Sequence, residues 1–226
     1  MKVSEIFTSC QGEGVTSGVP MTFIRLQGCN IRCRWCDTTH TQLIKGDSNG
    51  QWIEQTVEDI VAHCSRNQLH WVCITGGEPL MQADDLGSLV AQLRFNGHDV
   101  EVETNGTIPL PVWADLLIQP TTWVVDIKCP SSGFKPADNM LRYWNDMMPI
   151  VGRAKFVVAD DVDLDYAEHI LTTYPNLRSR ALISPVVLDG EISKADVQRI
   201  WQFCVARDLR FSLQIHKIVW GDKRGV

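Results

Sequence analysis

The chain predicts an α/β fold built on a parallel sheet. Short β-rich apolar runs alternate with amphipathic helical patterns along most of its length. No internal repeat, low-complexity tract or linker interrupts that order. The polar and cysteine residues of chemical interest also fall just beyond the apolar runs. Strand–helix–strand alternation implies parallel pairing through right-handed crossovers, as in an open doubly wound sheet or a partial (β/α) barrel. In both, chemistry gathers at the carboxyl ends of the strands.

The strand candidates in order are MTFIRL (21–26), WVCIT (71–75), DVEVET (99–104), WVVDI (123–127), AKFVVA (154–159), ALIS (181–184) and RFSLQIH (210–216). Between them, 56–67 places Val57, Ile60, Val61 and Cys64 on one helical face. The next helix, 83–97, carries Leu86, Leu89, Val90 and Leu93 and closes on Gly97. Helices follow at 163–174 and 193–207, the last opening on Ser193 as N-cap. Gly28–Thr38 follows the first of these strands, Gly76–Pro79 the second, Asn105–Thr107 the third and Lys128 the fourth, while His216 ends the last.

At 226 residues the chain is expected to form one domain, 1–226. A net charge of -6 gives no basic footprint for nucleic acid or an anionic membrane. No apolar run approaches the roughly 18 to 20 residues that span a bilayer. The N-terminus turns polar too soon for a signal peptide, so a cytoplasmic location is expected. Eight cysteines then point to metal or thiol chemistry before disulfides. Cys64, Cys73 and Cys204 lie in apolar patterns and read as small core residues, whereas Cys10 and Cys129 read as loop residues.

Cys29, Cys33 and Cys36 form the one cluster, C-x3-C-x2-C, in a polar loop with Asn30, Arg32 and Arg34. Three thiolates with His40 as fourth ligand would close a structural zinc site. Three thiolates alone hold a [4Fe–4S] cluster with one iron open. The spacing, with Trp35 just before the last cysteine, resembles the radical S-adenosylmethionine (SAM) superfamily. ITGGEPL (74–80), one β/α unit downstream, is similar to that family's GGEP segment. The resemblance implies the partial barrel, of six or seven parallel strands, and a cluster whose open iron is chelated by SAM. One electron then cleaves the sulfonium to a radical that takes a substrate hydrogen. The alternatives are another short radical SAM enzyme, such as a glycyl-radical activase, or a non-catalytic zinc or iron–sulfur module.

Further motifs narrow the resemblance. CQGEG (10–14), Arg25, WCDTTHT (35–41), ETNGT (103–107), DIKCPSSG (126–133), LQIHK (213–217) and WGDKRGV (220–226) together resemble the 7-carboxy-7-deazaguanine synthase family. That family converts 6-carboxy-5,6,7,8-tetrahydropterin to 7-carboxy-7-deazaguanine with loss of ammonia, in 7-deazapurine (queuosine) biosynthesis. The resemblance implies Cys29, Cys33 and Cys36 on the cluster in loop 28–38, and Thr38 on Mg²⁺. It implies Trp35, Cys36, Asp37, Gly77, Glu78, Asp126, Ile127, Lys128 and Ser184 around SAM. Relatives often carry Ser-Pro-Lys at 126–128 and Gln at Ser184. For substrate it implies Cys10, Gln11, Gly12, Glu13, Arg25, Thr75, His216 and Val226, the last in a capping tail of about 217–226. A flavodoxin or ferredoxin as electron donor and a homodimer complete the expectations.

Several of these residues have plainer readings. Thr38 also suits a loop-capping hydroxyl, and Glu13, between two glycines, reads as an exposed turn residue. Arg25 inside an apolar strand must be paired, and its fork suits a carboxylate. His216 also suits a structural hydrogen bond.

Overall fold

The computed structural model describes residues 1–42, 52–116, 121–188, 190–221 and 223–226. Asp222 of the C-terminal motif therefore lies outside the described residues. The strands are β1 (Lys2–Cys10), β2 (Pro20–Leu26), β3 (Ile53–Glu54), β4 (Trp71–Gly76), β5 (Asp99–Thr104), β6 (Thr121–Asp126), β7 (Gly152–Val158), β8 (Ala181–Pro185) and β9 (Arg210–Phe211). The helices are α1 (Val57–Asn67), α2 (Ala83–Phe95), α3 (Asp138–Val151), α4 (Asp161–Thr173), α5 (Pro175–Arg178), α6 (Lys194–Arg207) and α7 (Ile215–Trp220). One open sheet runs β3-β1-β2-β4-β5-β6-β7-β8-β9. From β2 to β9 every neighbour is parallel, while β1 pairs antiparallel with both β2 and β3. The seven parallel strands are the seven apolar runs read from the sequence.

Period-two alternation divides the sheet into two unlike faces. Ile24, Leu26, Val72, Ile74, Val100, Val102, Trp123, Val125, Ala154 and Phe156 join the helices in the main core. The intervening residues include Phe23, Arg25, Thr75, Glu103, Val124, Asp126, Lys155 and Val157, all of which line a cavity on the concave face. Pairing sets Arg25 beside Thr75, Cys73 beside Glu101, Glu103 beside Val124 and Asp126 beside Lys155. The sheet is thus apolar outward and strongly polar inward.

The helices start where their side chains cap them. Thr56, Asp160 and Ser193 accept from the backbone N–H three residues on, satisfying first-turn donors. Cys64, Cys73 and Cys204 are buried core residues. Cys10 corrects its expectation: it is the last residue of β1, not a loop residue.

Several elements escape sequence reading, β1, β3 and α3 among them. β1 carries polar residues on both faces because its antiparallel pairing leaves it half-buried. β3 is a two-residue edge strand. In α3 the buried Leu141, Trp144 and Met148 have helical spacing, but Pro149 interrupts the pattern. One element was overextended. The expected strand 210–216 stops at Phe211, and the chain turns so that Ile215 N donates to the Gly12 carbonyl at 3.0 Å. His216 therefore stands in the first turn of α7, not at a strand end.

Gly77 is a contact that only glycine permits. An added Cβ would lie 2.0 Å from the Gly28 carbonyl oxygen and 2.9 Å from Cys29 Cβ. Gly77→Ala is expected to lower stability by about 1–3 kcal/mol in urea unfolding, because backbone must move. Gly97→Ala, with φ +85° but no neighbour within 4 Å, should lose only about 1 kcal/mol.

Candidate active site

The concave cavity opens at the carboxyl end of the parallel strands. Its wall brings together Cys29, Cys33, Trp35, Cys36, Asp37, Thr38, Gly77, Asp126 and Lys128 with Cys10, Gln11, Gly12, Glu13, Arg25, Thr75, His216 and Val226. Seventeen of the twenty sequence candidates therefore share one space. Glu78, Ile127 and Ser184 do not line it and are fully or nearly fully buried.

The cysteine loop is held mostly by backbone. Gly77 N donates to the Leu26 carbonyl at 3.1 Å, and Glu78 N to the Gly28 carbonyl at 2.7 Å. Glu78 itself faces away from the cavity and organises the turn. It accepts from Leu80 N at 2.9 Å, Thr104 Oγ1 at 2.8 Å and Asn105 N at 2.7 Å. Burial raises its pKa against these donors. Asn105 extends the brace, donating to Asn30 Oδ1 at 2.9 Å and toward Cys29 Sγ at 3.7 Å. On the other side Trp35 Nε1 donates to Ser131 Oγ at 3.0 Å, and Arg34 N to the Ser132 carbonyl at 2.9 Å.

The donor set fits a cluster better than a zinc ion. Thiolates around one zinc stand about 3.8 Å apart, from Zn–S bonds of about 2.3 Å. The three cluster-loop sulfurs do not all lie within 4.8 Å of one another, although all line the cavity. His40, the candidate fourth ligand, instead faces Glu5, with Nε2 at 3.7 Å from its carboxylate. Burial pushes the Cys29 thiol up and the Cys33 thiol up to about 11, so metal binding must displace protons. Beside the loop, Lys128 Nζ donates to Asp126 Oδ2 at 2.5 Å and lies 5.2 Å from the Trp35 ring centre. Asp126 Oδ1 is buried without a protein partner, as a site for a polar ligand group requires. Ser184 Oγ is likewise buried and unpaired, but behind the wall. Thr38 makes no capping bond through its side chain, so the plainer reading of its hydroxyl does not hold.

The opposite wall is a polar network built from distant segments. Glu13 is buried, not exposed: Lys155 Nζ donates to Oε2 and Gln214 Nε2 to Oε1, both at 2.8 Å. Burial opposes its charge, but the Lys155 ammonium and then the His216 imidazole bring its carboxyl down to about 2. Gly12 is tightly apposed to α7, since an added Cβ would lie 2.2 Å from His216 Nδ1. Gln11 Nε2 donates to Glu101 at 2.6 Å and to Glu103 at 3.2 Å, and Thr75 Oγ1 donates to Glu103 at 2.9 Å. Arg25 Nε donates to Glu5 at 2.7 Å. His40 first, then Arg25 and Arg224, hold Glu5 near 2 despite its partial burial. Asp37 pairs with Lys217 at 3.0 Å; burial raises and Lys217 more than offsets, so its pKa is lowered.

Sequence reading missed Glu103, Lys155, Gln214 and Lys217, which line the same cavity. Their signal was present: Glu103 and Lys155 are polar residues on the inward step of a strand, and Gln214 and Lys217 fall within LQIHK. The tail is also partly helical, because α7 takes in 217–220, and of the described residues beyond it Gly221 and 223–226 form an irregular cover.

The fold and this cysteine loop define a radical SAM enzyme. The Radical SAM superfamily model matches residues 23–148. The 7-carboxy-7-deazaguanine synthase of Methanospirillum hungatei is 41% identical over 97% of this chain and 85% of its own. That of Thermoplasma acidophilum is 36% identical over the whole of both, and that of Escherichia coli K12 is 32% identical over 95% and 96%. The crystal structure of QueE from Escherichia coli superposes with a TM-score of 0.75 at 28% identity, covering 95% of this chain and 94% of that one. Streptococcus suis SuiB shares the fold at 14% identity, with a TM-score of 0.59 over 82% of this chain and 46% of its own. The chain belongs to the 7-carboxy-7-deazaguanine synthase family of the radical SAM superfamily. The zinc-module and glycyl-radical activase readings end there.

Removing Lys155 should expose the dependence of this wall on its ion pair. Lys155→Met leaves Glu13 buried and unpaired, so urea unfolding should register a loss of about 3–5 kcal/mol. Adding Glu13→Gln in the same protein should recover a large part of it.

Proposed function

We propose that this cavity carries out the 7-carboxy-7-deazaguanine synthase reaction with the roles divided between its two walls. The activity converts 6-carboxy-5,6,7,8-tetrahydropterin to 7-carboxy-7-deazaguanine with loss of ammonia, in 7-deazapurine (queuosine) biosynthesis. The single observation that carries the division is the convergence of the cysteine loop and the Glu13–Lys155 network on one cavity.

Cys29, Cys33 and Cys36 hold the [4Fe–4S] cluster. When bound, the cluster and SAM supply one-electron cleavage of a sulfonium and the radical that takes a substrate hydrogen. Trp35, Asp37, Gly77, Asp126 and Lys128 line the SAM side, with Asp126 Oδ1 as an acceptor. Glu78, Ile127 and Ser184 act there through packing and through the backbone they fix.

On the substrate side, Glu13 and Glu103 are carboxylate acceptors for the N–H groups of the pterin edge. Gln11, Thr75, Gly12 and Cys10 shape that wall. Arg25 keeps its Nε on Glu5, leaving its terminal nitrogens for the substrate carboxylate. His216 and Val226 close the cavity from the C-terminal side. Thr38 supplies a hydroxyl to Mg²⁺, which binds only when substrate oxygens complete its shell. The chain works as one domain, with loop 28–38 carrying the cluster and the tail residues 217–221 and 223–226 covering the cavity. Its electron donor is of the flavodoxin or ferredoxin type, and its assembly a homodimer. Among the described residues no helix is long and apolar enough to cross a membrane.

Reconstituted, reduced protein given SAM, Mg²⁺ and the carboxytetrahydropterin should release ammonia and a product of the corresponding mass. Absence of that mass change would refute the assignment. Cys33→Ala should abolish SAM cleavage altogether. Arg25→Ala should keep uncoupled SAM cleavage while kcat/KM for product falls about 10- to 150-fold, from a lost charge-assisted bond of roughly 1.5–3 kcal/mol.

A further inference from the structure

Below the substrate wall lies a second carboxylate, Glu101, to which the roles above give no work. It is 1% exposed and does not line the cavity. Its Oε1 accepts from Gln11 Nε2 at 2.6 Å, and its Oε2 pairs with the Thr16 hydroxyl at 2.8 Å. Gln11 Nε2 also donates to Glu103, while Gln11 Oε1 accepts from Glu13 N at 3.2 Å. A primary amide has two N–H hydrogens, and both are engaged by the two carboxylates. Where Gln11 points is therefore decided by Glu101 and Glu103 together.

The surroundings cannot support two ionised carboxylates here. Their oxygens lie within 4.8 Å of each other and of Cys73 Sγ on β4, whose thiol burial keeps protonated. The nearby cation, Lys155 on β7, is bound to Glu13. Like charges this close in a dry interior leave one group protonated. Glu103 meets the cavity, whereas Glu101 sits deeper, beside a hydroxyl that can accept as well as donate. Burial first, and the Glu103 charge second, push the Glu101 carboxyl up to about 7.

We propose that Glu101 is a positioning residue acting as a neutral carboxylic acid: it holds Gln11 from below and so fixes Glu103 as the acceptor facing substrate. The inference rests on the reading of the Gln11–Glu103 wall as the substrate side. When Glu101 ionises at higher pH, a second negative charge competes for the Gln11 hydrogens and for Lys155. Glu103 and Glu13 then lose their fixed places, and substrate binding weakens.

Glu101→Gln reproduces the neutral pattern, its carbonyl accepting from Gln11 and its amide donating to Thr16. Anaerobic calorimetry of SAM-loaded holoenzyme with 6-carboxytetrahydropterin tests the claim from pH 6 to 8.5. Wild-type Kd should weaken by roughly tenfold for each pH unit by which binding shifts the Glu101 pKa. Glu101→Gln should match wild type at pH 6 within about twofold and show a flatter slope, while Glu101→Leu should bind weakly throughout.

Thermal melts of the cluster-free protein give a readout independent of catalysis. A carboxyl raised from its unfolded value near 4.5 to about 7 loses stability as pH climbs through that window. The melting temperature of Glu101→Gln should therefore gain on wild type between pH 5 and 8. Parallel Kd slopes or a constant melting gap would overturn the proposal. A wild type that turns over substrate yet gives those results defeats the role of Glu101 alone. One that binds no pterin at any pH defeats the substrate reading, and with it the positioning role.

Discussion

Glu13 and Lys155 meet at 2.8 Å across 142 positions of sequence, and Gln214, 201 positions from Glu13, takes the other carboxylate oxygen. A buried carboxylate tolerates no vacancy among its partners, because desolvation is offset only when both oxygens are satisfied. Meeting that condition draws the Gln-Gly-Glu loop, the middle of β7 and the segment after β9 into one wall. The close seat of Gly12 under His216 and the Ile215–Gly12 backbone bond finish the junction. The concave side of the sheet is closed at that point by the two ends of the chain.

The rest of the site follows from a sheet with two unlike faces. Outward residues such as Ile24, Leu26, Val72, Ile74, Val100, Val102 and Phe156 carry no polar side-chain group and bury against the helices. Inward residues are Arg25, Thr75, Glu101, Glu103, Asp126 and Lys155, and none is left without a partner. Three of them pair with opposite charges: Arg25 with Glu5, Asp126 with Lys128, and Lys155 with Glu13. Against that fixed lattice the cysteine loop is positioned by main-chain bonds to Leu26 and Gly28 and by Asn105.

Much of the architecture was legible because period-two apolar runs and capped amphipathic helices are local signals. Strand pairs that depend on a partner were not: β1 is half polar, β3 has two residues, and β9 ends early where backbone donors find Gly12 and not another strand. Site residues followed the same rule. Cys29, Cys33, Cys36 and the Gly-Gly-Glu-Pro turn are near neighbours in sequence and read as motifs. Lys155 stands alone in its segment, and Glu103, Gln214 and Lys217, although they fall within ETNGT and LQIHK, acquire their partners only from what faces them. Glu13 shows the same limit in reverse, since its two flanking glycines suggested an exposed turn and the fold buries it.

By itself, then, the amino-acid order determined the alternation of elements, the parallel sheet, the cysteine loop at its carboxyl edge and the family to which these belong. Each depends on spacing over a few residues, and spacing is written in the chain. The tertiary structure alone decided which polar residues share the cavity. It turned Glu78 away from the cavity as a brace, took His40 away from the cysteines to Glu5, and set Glu101 beneath Glu103. Those outcomes are governed by burial and charge balance between segments far apart in sequence, which no local pattern encodes.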